Sequence, residues 1–327
     1  MIPLVQKTLV IVPENGIGNR LQAILSTQIL AQRQGWNVQV DWQPNRESCH
    51  CHLTDLFEEN PGCPAYSVNL CPTGAVCLLE RLEQNRIDTL EDLMETHPMV
   101  CVRSYVQFHD SSTSWQEHRL AMLGMFDHWK PAHSIAHQIL EPDPDVIGVH
   151  IRGTDSIRCI CFTPLALYIQ FILSQLEHSP HSRFFVCSDE HSSVHILRQR
   201  FGDGRILTYN HAPANRITME GIQHALIEFL TLARCRLICA SYYSSFADLA
   251  VVLGNKPSVK LTTYKAPLDW TKAGEKFEPW VSWQRGKGWT RKKKRGLWDS
   301  VRSHFALWRT RWYLTDFYQT GFWHKIG

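Results

Sequence analysis

The sequence predicts an α/β protein of two Rossmann-like domains, on three observations. Strand, glycine-containing loop, helix and strand follow one another from Thr8 to Trp42. From Val146 to Leu253 apolar strands alternate with helices, the pattern of a parallel sheet. Between them, near residues 130–142, Lys130-Pro131 and Pro142-Asp143-Pro144 interrupt the chain. At 327 residues it exceeds the length at which one core usually divides. We therefore expect domains at 1–135 and 136–275, with a basic tail at 276–327.

The opening strand is Thr8 to Val12. Leu21, Ile24, Leu25 and Ile29 then recur at helical spacing, and Gly35 stands where a C-terminal glycine stop belongs. The next strand is Val38 to Trp42. From about Pro44 to Asp110 the chain reads as loop-rich, with no confident element. In the second half, strand 146–151 leads to a helix capped by Thr163 with Pro164 in its first turn. Strand Phe184 to Cys187, a helix around Val194 to Phe201, and strand Arg205 to Tyr209 follow. Helix Met219 to Ala233, strand Leu237 to Ala240, and helix Phe246 to Leu253 complete the series.

The composition narrows the function. An apolar content of 44% allows a sizeable core, and a net charge of +3 argues against a general nucleic-acid binder. Eleven scattered cysteines do not resemble a disulfide framework. With no visible secretory signal or transmembrane-length apolar run, reduced thiols and a cytoplasmic setting are the expectation.

Four segments carry chemistry. In Gly148-Val149-His150-Ile151-Arg152-Gly153-Thr154-Asp155, alternation puts His150 and Arg152 on one face at the carboxyl end of a strand, where open α/β sheets bind ligands. Arginine's planar fork suits a phosphate there; an ion pair with Asp155 is the alternative. Ser244 and Ser245 open a helix after a strand, so they either face an anion or simply cap. Asp189 and Glu190 close another strand, where a carboxylate accepts the N1–H and N2 edge of guanine or else caps the next helix. Gly16-Ile17-Gly18-Asn19-Arg20 lacks the third glycine of a dinucleotide fingerprint, with Asp41 the one candidate ribose acid, so a plain tight turn competes with anion binding.

Taken in order, GIGNR, HIRGTD, VCSDE, the stretch from Asn215-Arg216 to Glu228, and ICASYYSSFADLA resemble the fucosyltransferase superfamily of GT-B fold. The likeness is greatest to α1,6-fucosyltransferases of the N-glycan core and nodulation-factor type, and extends to protein O-fucosyltransferases. It spans roughly residues 8–42 and 146–255. The resemblance implies two domains facing across a cleft and GDP-fucose as donor. It implies Arg152 as the catalytic arginine on the donor diphosphate, with His150 beside it at the nucleotide. Asp189 and Glu190 are implied at guanine, Ser244 and Ser245 at the β-phosphate, and Asn19 and Arg20 on the loop facing the donor. Three positions depart from the pattern. Gly153 stands for the second arginine of HxRR, Ile160 for the proposed base, and Phe246 for a glutamine.

The expectation is an inverting, metal-independent transfer of fucose to a glycan, lipid-linked saccharide or other hydroxyl acceptor, with no cofactor. Another nucleotide sugar, or a non-catalytic membrane- or glycan-binding protein, stays open as the alternative. Cys49-His50-Cys51-His52, with Cys63 and Cys71, lacks the usual zinc-ligand spacing. Seven of the twelve tryptophans lie at or beyond Trp280, and basic residues crowd Arg285 to Arg295 without an acid. Such a tail suits either an anionic membrane surface or packing back on the N-terminal domain.

Overall fold

The computed structural model describes residues 7–57, 65–67, 76–78, 87–105, 114–126, 145–154, 156, 159, 162–209, 216–242 and 244–262. The expected linker near 130–142, Asp155, Ile160, Asn215, Cys63, Cys71 and the tail lie outside the described residues.

The first sheet holds β1 (Thr8–Pro13), β2 (Asn37–Asp41), β3 (Ala65–Ser67), β4 (Val76–Leu78) and β5 (Met99–Ser104), in the order β3-β2-β1-β5-β4 and wholly parallel. Every residue of β1 is buried, as a central parallel strand requires. Helix α1 (Ile17–Gln34) returns the chain from β1 to β2, ending at Gly35 in the left-handed conformation with φ 69°. The stretch read as loop-rich contains β3, β4, helix α2 (Ile87–Thr96) and β5. Helix α3 (Trp115–Phe126) follows.

The second sheet holds β6 (Ile147–Ile151), β7 (Phe184–Ser188), β8 (Ile206–Leu207), β9 (Leu237–Ser241) and β10 (Ser258–Leu261), in the order β10-β9-β6-β7-β8, again all parallel. Helices α4 (Leu165–His178), α5 (His191–Phe201), α6 (Met219–Arg234) and α7 (Ser245–Gly254) alternate with them. Two local expectations change. Pro164, not Thr163, occupies the N-cap of α4. The Thr163 hydroxyl instead donates to the Leu261 carbonyl at 2.9 Å and accepts the Tyr242 amide at 3.0 Å. The strand expected over Arg205 to Tyr209 pairs only at Ile206 and Leu207.

The two sheets share one apolar cluster. Leu21, Ile24 and Leu25 of α1 belong to the same core as Ile222, Leu226 and Phe229 of α6 and Leu249 and Val251 of α7. Gly18 makes the closest approach possible. A Cβ built there would stand 3.1 Å from both the Phe246 amide nitrogen and the Ser245 hydroxyl. This glycine therefore brings the first turns of α1 and α7 together, a packing role in place of the phosphate cradle weighed above.

Candidate functional site

Register builds the site. Ile151 of β6 pairs with Ser188 of β7, and His150 pairs with Ala240 of β9. Arg152, Asp189 and Ser241 therefore meet at the carboxyl ends of three adjacent central strands. The Arg152 amide donates to the Ser241 hydroxyl at 2.9 Å, and Tyr168 lies 2.6 Å from the same oxygen. The Tyr168 hydroxyl also donates to the His150 carbonyl at 3.1 Å. This buried network fixes the backbone from which the Arg152 side chain emerges.

Asp189 is the hub. Its Oδ1 accepts the Gly153 amide at 2.7 Å, and its Oδ2 accepts the Thr154 hydroxyl at 2.7 Å. Two guanidinium groups converge on that same Oδ2: Arg152 Nη1 at 3.3 Å and Arg216 Nη2 at 3.0 Å. The two arginines thus share one carboxylate at the strand ends. Both oxygens of Asp189 are engaged, and the acid joins two cations at the strand ends. Arg152 pairs with this acid, whereas Asp155, its expected partner, lies outside the described residues.

Glu190 sits at the N-cap of α5 without a side-chain cap bond, so the plain capping alternative does not hold. Its carboxylate accepts the Ser193 hydroxyl, and its backbone amide donates to Ser188 Oγ at 3.0 Å. The side chain lies flat against Gly153. A Cβ at Gly153 would fall 2.6 Å from Glu190 Oε2 and 2.7 Å from its Cβ. The glycine where the related pattern carries a second arginine is thus the residue that Glu190 leaves room for.

His150 is buried, and its ring stacks on Phe246 with centroids 5.2 Å apart and planes 25° from parallel. Phe246 in turn meets Phe229 edge-on. Burial first, then the Arg152 charge, holds the His150 pKa down at about 4, so the ring is neutral near pH 7. Its Nδ1 has no hydrogen-bond partner. The phenylalanine that replaces the pattern's glutamine is the lid on this imidazole.

Ser244 caps α7, its hydroxyl accepting the Ala247 amide at 3.5 Å, while Ser245 donates to Asn19 Oδ1 at 2.7 Å. Two residues expected at the donor from opposite ends of the chain are thereby joined. Arg20 departs from its expected place at the donor. It is 2% exposed, lies over Trp42 with its guanidinium carbon 4.7 Å from the ring, and donates to the Asn15 and Gln43 carbonyls at 2.9 Å each. Burial lowers the Arg20 pKa from its ordinary value, and the bond to the Asn15 carbonyl braces the loop after β1. Asp41 is buried, and its Oδ2 accepts from Gln43 Nε2 at 3.0 Å.

Two residues were not singled out from the sequence as site members. Arg216 reaches Asp189 from the loop before α6. Glu228 is 8% exposed within α6, and burial foremost, with Asp189 adding, pushes its carboxyl up to about 8. No donor among the described residues reaches that carboxylate. One sequence signal was available for it: Glu228 is the lone charge in the otherwise apolar face of ALIEFLTLA. Cys49 and Cys51 are buried with sulfurs 3.8 Å apart. Among the described residues, no group of three or more His, Cys, Asp or Glu is placed to hold a metal, and no helix is long and apolar enough to cross a membrane.

No protein-family model matches the sequence, and no curated relative matches it. Solved structures do. Fucosyltransferase NodZ from Bradyrhizobium aligns with TM-score 0.55 at 19% identity, over 78% of this chain and 96% of its own. NodZ α1,6-fucosyltransferase soaked with GDP-fucose gives the same score over 94% of its length. POFUT1 in complex with GDP aligns at 0.55 and 9% identity, over 79% of this chain and 99% of that one. A point mutant of Arabidopsis thaliana FUT1 in complex with GDP aligns at 0.50 and 14%, over 78% and 70%. The fold is that of these fucosyltransferases, as the motifs led one to expect.

Proposed function

We propose that this chain is a glycosyltransferase that takes a GDP-sugar, fucose foremost, and transfers it with inversion to a hydroxyl of a glycan or lipid-linked saccharide. One observation carries the reading: Arg152 and Arg216 converge on Asp189 at the carboxyl ends of the central strands. The shared fold adds weight, since solved structures with it hold GDP or GDP-fucose.

Breaking a sugar–diphosphate bond builds negative charge on the departing phosphate, and prearranged cations lower that barrier. Arg152 supplies one such charge from a rigid strand end. Ser244 and Ser245, in the first turn of α7, offer hydroxyls and the positive end of a helix dipole. Ser245 exchanges its Asn19 partner for phosphate when donor binds, and Asn19 then turns to the donor as well. With this charge in place, the reading calls for no metal. His150, neutral and flat against Phe246, borders the nucleotide. The guanine edge falls to a carboxylate not already spent. Glu190 is the outer candidate and Glu228, buried without a donor, the inner one. In the same reading, the basic aromatic tail holds a cytoplasmic enzyme against anionic membrane.

Thermal unfolding with a nucleotide panel tests this. GDP stabilises the protein and UDP does not, because unmatched buried polar groups are penalised. Arg152→Ala then lowers GDP-sugar turnover by about a hundred- to a thousandfold while the fold persists. Equal stabilisation by both nucleotides, or unimpaired turnover by the folded variant, overturns the reading.

A further inference from the structure

We infer that Cys49 and Cys51 are a peroxide-sensitive dithiol, and that its closure to a disulfide loosens the hold of the first sheet on the start of α6. The inference stands apart from the nucleotide-sugar reading and does not depend on it.

Both cysteines are free and buried, at 0% and 3% exposure, with their sulfurs 3.8 Å apart. Their backbones are pinned on the outer sides. Cys49 and Asn45 exchange both amide-to-carbonyl bonds at 2.9 Å, and the Trp42 indole donates to the Cys51 carbonyl at 2.8 Å. The sulfurs are thus held facing each other. The Arg20 guanidinium, buried over Trp42, acts electrostatically on both, and its Nη1 has no hydrogen-bond partner. Glu14, a carboxylate it also feels, is engaged by Arg103 at 2.9 Å. A cation beside a thiol favours the thiolate, which is the reactive form. The hydrogen bond with Cys51 holds the Cys49 thiol below its ordinary value, and the Arg20 charge adds to this against the opposing effect of burial. Cys187 and Cys239, by contrast, are pushed well up by burial.

Hydrogen peroxide is close to water in size, so it reaches a pair that is closed to bulkier oxidants. The Cys49 thiolate attacks one peroxide oxygen, the O–O bond breaks and hydroxide leaves, giving a sulfenic acid. The Cys51 sulfur then attacks the Cys49 sulfur, the S–O bond breaks, and the departing hydroxide takes the Cys51 proton. Two thiols give up two electrons and two protons, and one peroxide becomes two waters.

His50 lies between the two cysteines. Its amide donates to the Arg216 carbonyl at 3.1 Å, and its Nδ1 lies 3.0 Å from the Ile217 carbonyl. One turn into α6, Gln223 Nε2 donates to the Asp55 carbonyl at 3.0 Å. The segment from Cys49 to Asp55 therefore braces the start of α6, with Arg216 just before it. Closing the sulfurs from 3.8 Å while Asn45 and Trp42 hold the outer ends puts the movement on the His50 peptide units. The contacts of His50 with Arg216 and Ile217 then give way.

The full chain, reduced and then treated with limiting hydrogen peroxide, is unfolded, alkylated and cleaved after Glu47 and Glu58. This isolates a peptide whose cysteines are Cys49 and Cys51 alone. Mass spectrometry finds that peptide unalkylated and two hydrogens lighter, forming at least about tenfold faster than any change at Cys187 or Cys239. In the oxidised, folded chain the His50 amide exchanges its hydrogen about three- to tenfold faster, the worth of one hydrogen bond, and dithiothreitol restores the original rate. Every arm uses the unmutated protein. Alkylation of both sulfurs after peroxide, over-oxidation of either without a bond between them, or a bond from either to another cysteine overturns the inference. So does unchanged exchange at His50 in the oxidised chain.

Discussion

Replacing Gly153 by alanine isolates the contact between Glu190 and the end of β6. The added methyl carbon would lie 2.6 Å from Glu190 Oε2, 2.7 Å from its Cβ and 3.0 Å from its Cδ. A carboxylate tip swings away cheaply, but a Cβ does not. Glu190 occupies the N-cap position of α5, and its amide is tied to Ser188 Oγ at 3.0 Å, so relief demands a backbone shift at the start of a helix. Overpacking of this kind costs about 1–3 kcal/mol.

The decisive measurement is a double-mutant cycle by urea unfolding. Gly153→Ala alone destabilises by about 1–3 kcal/mol. Glu190→Gly removes the obstructing carbon, and glycine is a tolerable N-cap, costing a few tenths of a kcal/mol beyond the lost side-chain contact. In that background the Gly153→Ala penalty vanishes, giving a coupling of at least about 1 kcal/mol. Additive effects, or a Gly153→Ala protein as stable as its parent, refute the claim that Glu190 dictates glycine at this position.

Two further outcomes are expected. The Glu228 carboxyl is raised from 4.5 to about 8, so the folded state keeps a proton that the unfolded chain releases, and the stability this confers is lost as pH rises through about 8. Glu228→Gln removes that loss. The melting-temperature difference between variant and parent therefore widens in the variant's favour from pH 5 to pH 9, and parallel profiles refute it; His150, whose effect acts on the acid side, cancels in the difference. For the tail, full-length protein with Lys292, Lys293 and Lys294 changed to glutamine binds anionic vesicles about a hundredfold more weakly at low salt, at roughly 1 kcal/mol per basic residue. Failure of the unaltered protein to co-sediment with such vesicles ends the membrane proposal.

What was legible in the sequence was what one strand or helix settles by itself. The β-branched run at 146–151, buried along its whole length, and the helical spacing after Gly18 each settle an element from a single segment, so both elements stand close to where they were expected. The short strands β3 and β4 carry too few residues for a pattern, and β5 was lost because Met99 to Ser104 mixes cysteine and arginine into a strand buried beside β1. The caps went astray for a tertiary reason. Thr163 has partners on β10 and after β9, 98 and 79 residues away, which no local rule sees. Arg20 turned inward for a similar reason: Trp42 and the Gln43 carbonyl wait one strand later. Arg152 and Asp189 meet as an ion pair, and that meeting depends on the register between β6 and β7.

The three departures from the related pattern need not be read as decay of a site, and the described geometry argues against that reading for two of them. Phe246 and Gly153 each fit a specific neighbour, the His150 ring and the Glu190 side chain. Arg216 is braced by the Cys49 to Asp55 segment and Arg152 by Ser241 and Tyr168, so the two arginines that meet at Asp189 are positioned from both sheets. The same seam is closed by Gly18 and by the Ser245–Asn19 hydrogen bond.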